Sequence, residues 1–87
     1  MLTSKYKNLS EDMKLLYGQV ATCNPFVEIL VFEKKELESF LLNMSKIETE
    51  TDSDFRRRYE NHKIRLDIIR ELLTINDLTL QLLSGKG

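Results

Sequence analysis

Apolar residues near the start of the chain fall at Tyr6, Leu9, Met13, Leu16 and Val20. Alternating steps of three and four residues line one face of an α-helix, so the spacing predicts a first helix over about 4–22. The pattern stops at Thr22-Cys23-Asn24-Pro25. Asn24 can accept bonds from the free N–H groups of a new helix, and Pro25 suits its first position, where no N–H is needed. A second helix over about 25–48 carries Phe26, Leu30, Leu37, Phe40, Met44 and Ile47 at helical spacing, with Glu33 interrupting the line.

The stretch from Glu48 to Asp54 is polar and rich in turn and cap residues. Thr51 with Asp54 three residues later reads as a capping-box variant, and the acids favour the positive end of the helix that follows. That third helix, over 53–83, is the clearest element. Phe55, Tyr59, His62, Leu66, Ile69, Leu73, Asn76, Leu80 and Leu83 alternate by four and three, and a second apolar line (Ile68, Leu72, Ile75, Leu82) lies beside them. Two adjoining lines make a face broad enough to touch two neighbours, whereas a two-stranded coiled coil shows one narrow seam. Gly85 and Gly87 then end the helix. The expected fold is all-α, an antiparallel three-helix bundle forming one domain over 1–87.

Composition agrees with this pattern. Hydrophobic residues make up 41% and charged residues 31%, too apolar for a disordered chain. Three Gly and one Pro leave few tight turns and no sandwich or barrel signal. A domain this small leaves little interior for a deep pocket. The formal net charge of −1 gives the whole chain no excess charge to hold on nucleic acid or an acidic membrane. Apolar runs such as Ile29 to Phe32 are far too short to span a bilayer, and Met1 to Lys5 has no apolar leader segment behind it. Cys23, the only cysteine, cannot form an internal disulfide and fits a reducing compartment, so the cytoplasm is the expected location.

Enzyme chemistry is missing from the pattern. There is no glycine-rich phosphate loop, no Cys or His cluster at metal spacing, and a single His. Cys23 and His62 are the sole thiol and base, one in a loop and one on the core line of the third helix, and they are not expected to meet. A solvated helix face accounts for the carboxylates. Neither an enzyme, a metal nor a cofactor is expected.

Two polar residues, His62 and Asn76, interrupt the core line. They are expected at the bundle margin or hydrogen-bonded to a neighbouring helix, with His62 also able to touch a partner. On the surface, Arg56, Lys63 and Arg70 recur every seven residues beside the apolar face, with Arg57, Arg58 and Arg65 adding positive character. Glu38, Leu41, Ser45 and Glu48 share a strip on the second helix. Solvated faces with i,i+4 pairs explain most such charge runs. A nucleic-acid patch is discounted, because Glu60, Asp67 and Glu71 interleave the arginines and no aromatic stacking row accompanies them.

From Leu37 onward the chain resembles the BAG domain, a three-helix co-chaperone module that binds the ATPase domain of the seventy-kilodalton heat-shock chaperone. Leu37 to Glu48 is similar to that family's acidic-apolar stretch ending in an Ile-acid or Val-acid step. Asp54-Phe55-Arg56-Arg57-Arg58, His62-Lys63, Leu66, Ile69-Arg70, Leu72-Leu73 and Asp77 follow its Arg-rich start, basic pair and Leu-rich close. The resemblance covers about 40 of the 87 residues. It implies a monomeric nucleotide exchange factor that holds the chaperone's open nucleotide cleft, with contacts at Glu38 and Glu48 on the second helix. On the third helix it implies His62 or Lys63, and Arg70 where the family has glutamine. His62 stands where the family usually has arginine, and Arg70 adds a charge while losing an acceptor. The alternative function is a helical adaptor or structural subunit of a larger complex, with His62 and Asn76 on the seam fixing register. The co-chaperone function requires the oppositely charged strips to be free on the outside of the last two helices.

Overall fold

The computed structural model describes residues 1–85, which form five helices and their connections with no strand among them. The helices are α1 (Leu2–Lys7), α2 (Glu11–Leu16), α3 (Gly18–Ala21), α4 (Asn24–Asn43) and α5 (Asp52–Leu83).

α5 is capped where its sequence signals predict, although Tyr59, Leu80 and Leu83 of its expected core line are exposed. Thr51 is extended, and its hydroxyl accepts from the Asp54 N–H at 3.1 Å. Asp52 and Asp54 sit in the first turn, facing the positive end of the helix dipole. At the other end Gly85 takes φ +79, the left-handed conformation that a residue without Cβ adopts at no steric cost. Gly87, expected to share that role, lies outside the described residues.

The helix expected over 4–22 is instead three short ones. Asn8 closes α1, and Ser10 turns extended, its side chain accepting from the Met13 N–H at 3.3 Å. Glu11 and Asp12 follow in the first turn, so Ser10 to Asp12 is a helix start inside the apparent repeat. A turn resets the helical phase. Of the residues expected on the core face, Tyr6 is buried, whereas Leu9, Met13, Leu16 and Val20 are exposed and Gly18 and Ala21 are buried in their place. A Cβ on Gly18 would lie 2.8 Å from Cδ1 of Leu83, so glycine lets α3 approach α5 closely.

α4 also departs from expectation at both ends. Cys23 occupies the cap position with no side-chain cap bond, Asn24 is the first helical residue, and Pro25 follows it. The helix stops at Asn43, short of the expected 48, because Met44 is extended (φ −69, ψ 130). The segment 44–51 is used to reverse the chain and is fastened from α5. Arg58 donates from Nη2 to the Ser45 carbonyl at 3.0 Å, and through Nε and Nη2 to both carboxylate oxygens of Glu50 at 3.0 and 2.9 Å.

The packing has two sides. α4 runs antiparallel to α5, since Ser45 meets Arg58, Phe40 meets His62 and Glu38 meets Arg70. Leu66 of α5 shares this seam with Leu41 of α4, and Leu30 and Leu37 are buried on α4. The short helices cover the last third of α5 instead, where Thr3 bonds Glu71, Tyr6 bonds Thr79 and Tyr17 bonds Asn76. α5 is thus a spine with one helix on its front and three short ones on the back of its C-terminal part. The result is a slab of 53 × 25 × 16 Å with a radius of gyration of 16.6 Å. A compact chain of this length has about 12 Å.

Candidate functional site

Of the two polar residues on the predicted core line, Asn76 is buried and His62 half-buried. The Oδ1 of Asn76 accepts from the Tyr17 hydroxyl at 2.8 Å, while its Nδ2 has no partner among the described residues. Burial and the neighbouring Tyr6 hydroxyl push the Tyr17 phenol above its ordinary value, so it stays a donor. Thr79 is wholly buried; it donates to the Ile75 carbonyl at 2.8 Å. Its single hydrogen being used there, the Tyr6 hydroxyl must donate to Thr79 Oγ1 across 2.7 Å. This network ties the short helices to α5 and is structural.

His62 is half-buried on the α4–α5 seam, stacked on Phe40 with ring centres 4.5 Å apart and its Nδ1 buried without a partner among the described residues. Cys23 is exposed at the far end of α4. The sixteen helical residues between Cys23 and Phe40 separate thiol and imidazole by about 25 Å, which rules out a joint nucleophile and base.

A groove of about 520 Å³ opens along the other edge of the seam, lined by Glu38, Leu41, Leu42, Tyr59, Lys63, Leu66 and Arg70. Three of the five expected partner-binding residues, Glu38, Lys63 and Arg70, meet at this groove, around an apolar floor. Its rim is not free. Arg70 donates from Nη2 to Glu38 Oε2 at 3.1 Å, and its Nη1 lies 4.0 Å from Asp67. Both side chains stay 40–51% exposed, so the pair is worth about 0–1 kcal/mol and can open. Glu48 and His62 are not brought to the groove. Glu48 is exposed in the turn after α4, so the strip Glu38, Leu41, Ser45 and Glu48 is not one helix face. His62 faces the opposite edge. The periodicity did not single out Tyr59 as a groove residue, or Leu42, the most exposed large hydrophobic at 85%.

The Glu50–Arg58 clamp was also not read from the sequence. The Arg58 guanidinium holds the Glu50 carboxyl below its ordinary value, with the Ile47 N–H adding to the effect against the opposing pull of partial desolvation. A carboxyl lowered by folding contributes stability above its unfolded value and loses it as pH falls through the folded one. An NMR titration of the Glu50 carboxyl is expected to give a midpoint below the ordinary 4.5, restored by Arg58→Ala. A midpoint of 4.5 or higher in the unaltered chain would remove the clamp.

Among the described residues no three His, Cys, Asp or Glu side chains gather as metal ligands, and no single helix is long and apolar enough to cross a membrane. No protein-family model, curated protein or solved structure matches the chain.

Proposed function

We propose that this chain is a non-enzymatic helical interaction module, an adaptor or structural subunit whose uncovered apolar faces pack against other chains. In this reading the three short helices together serve as the first rod of an antiparallel three-helix bundle. One observation carries the proposal: among the described residues six hydrophobic ones are buried, while sixteen large ones are exposed. The accessible surface is 6544 Å². A compact monomer of this mass exposes about 5300 Å², so about 1200 Å² is in excess, more than the roughly 800 Å² that one partner contributes to a standard interface. Isolated exposed hydrophobics are ordinary, but contiguous ones mark interfaces.

Size fractionation of an extract from cells making the full chain tests this. The chain should elute in an assembly well above its own 10.2 kDa. Phe32→Asp or Ile64→Asp, at exposed positions, should shift it toward that mass. Elution of the unaltered chain as a free monomer would overturn the proposal.

The co-chaperone function implied by the BAG resemblance is a second reading, favoured by the meeting of Glu38, Lys63 and Arg70 at one groove. It ranks lower because Glu38 and Arg70 are spent on each other and Glu48 lies off the helix. Its test is ADP release from the chaperone's ATPase domain, which should accelerate with the wild-type chain and not with Lys63→Glu. An unchanged rate at saturating protein disposes of it.

A further inference from the structure

Two apolar patches lie outside both packing layers. On α4, Leu30 points into the seam, and each residue turns a helix by about 100°. Ile29 and Phe32, one residue before and two after Leu30, therefore point outward, and they are 65% and 64% exposed. With Pro25, Glu28 and Glu33 they line a shallow groove of about 450 Å³. Glu36 lies one turn further along, so the patch is apolar with an acidic border.

On α5, Leu66 is buried, and Ile64 and Ile68, two residues to either side, point about 200° away from it. They are 54% and 43% exposed. The hydrogen bonds from the short helices to α5 fall at Glu71, Asn76 and Thr79, so Ile64 and Ile68 lie on the N-terminal side of that anchorage. Arg57 lies in line with Ile64 two turns earlier, and Arg65 flanks Ile68; Glu60 is on the other flank, as Lys35 is on α4. Among the described residues Glu28, Glu33, Glu36, Arg57 and Arg65 form no ion pair.

We propose that these patches are the two halves of one contact, in which the acidic-bordered face of α4 docks on the arginine-bordered back of α5 in a second copy of the chain. The inference rests on the interaction-module reading and names its partner. Apolar surface meets apolar surface, and unpaired carboxylates meet unpaired guanidinium groups, which sets register and suppresses wrong pairings. The docked helix would extend the layer that the short helices begin. An α4·α4 pairing is disfavoured, because it would set Glu33 and Glu36 against their own copies. The patches lie on opposite sides of the α4–α5 pair, so the contact is head-to-tail and adds further copies instead of closing as a two-fold dimer.

Sedimentation velocity on the purified full chain tests this, with helicity followed by circular dichroism. The wild-type sedimentation coefficient should rise with concentration. Glu33→Arg with Glu36→Arg, or separately Arg57→Glu with Arg65→Glu, should weaken association by roughly tenfold or more, since each variant sets like charges face to face. An equimolar mixture of the two variants restores opposite charges at every contact and should associate like the wild type. The milder Glu33→Gln with Glu36→Gln should weaken association partly and flatten its salt dependence, should either charge reversal lose helicity. A wild-type chain that stays monomeric at all concentrations overturns the inference, as does a mixture that fails to associate or a single charge reversal that associates as well as wild type. If the pure chain is monomeric yet large assemblies persist in extracts, this inference falls and the interaction-module reading stands.

Discussion

Replacing Leu66 by alanine is expected to destabilise the chain by about 2–5 kcal/mol, a large share of the roughly 5–15 kcal/mol that holds a domain folded. Leu66 is 4% exposed in the seam between α4 and α5, one of six buried hydrophobic residues among those described. Truncating it removes the transfer free energy of its methyl groups and leaves a cavity that two long, regular helices cannot easily close. Leu42→Ala, at 85% exposure on the neighbouring groove, is the matched control and should change stability by less than about 0.5 kcal/mol. Urea unfolding measures both, read from midpoints at unchanged slope. Equal losses for the two variants would mean that the seam is not where the stability resides.

The contrast between these leucines shows what periodicity conveys and what it leaves out. α5 was legible as an element because its apolar positions recur at helical spacing and Thr51 supplies a cap at the expected place, although Tyr59, Leu80 and Leu83 of that line are exposed. The first helix was misread for a related reason. The steps from Tyr6 to Val20 remain helical numerically even where the chain turns at Asn8 to Ser10, since a count of spacings carries no information about a reset of phase. The signal was present in the polar residues, as Ser10 followed by Glu11 and Asp12 is a helix start.

The site was legible as a set of residues and not as a geometry. Lys63 and Arg70 share a line because α5 is one helix, but whether Glu38 faces solvent or Arg70 depends on the register of α4 against α5. That register is set by the turn 44–51, which Arg58 fastens from eight residues downstream of Glu50. Ending α4 at Asn43 instead of 48 releases Glu48 from the strip. Asn76 shows the same limit from the other direction. It interrupts an apolar line, and the Tyr17 hydroxyl that justifies its burial lies 59 residues away.

Tyr6→Ala is expected to have the second large effect, about 3–5 kcal/mol, and a more local one. The Tyr6 ring is 7% exposed and packs edge-on to Tyr17 at 6.0 Å, with the Lys14 ammonium 5.6 Å from its centre. Its hydroxyl donates to the fully buried Thr79. The first helix has six residues, too few to persist without packing, so loss of this anchor should release it from the back of α5. Hydrogen exchange should then rise across α1 to α3, while the α4–α5 pair keeps its protection because Leu30, Leu37 and Leu66 are untouched. Tyr6→Phe separates ring from hydroxyl. Thr79 still donates to Ile75 after that change, so no donor is orphaned and the loss should be about 0.5–1.5 kcal/mol. A Phe variant as unstable as the Ala variant would assign the anchor to the hydrogen bond. Uniform loss of protection over all five helices would instead make the short helices part of a single cooperative unit with the spine.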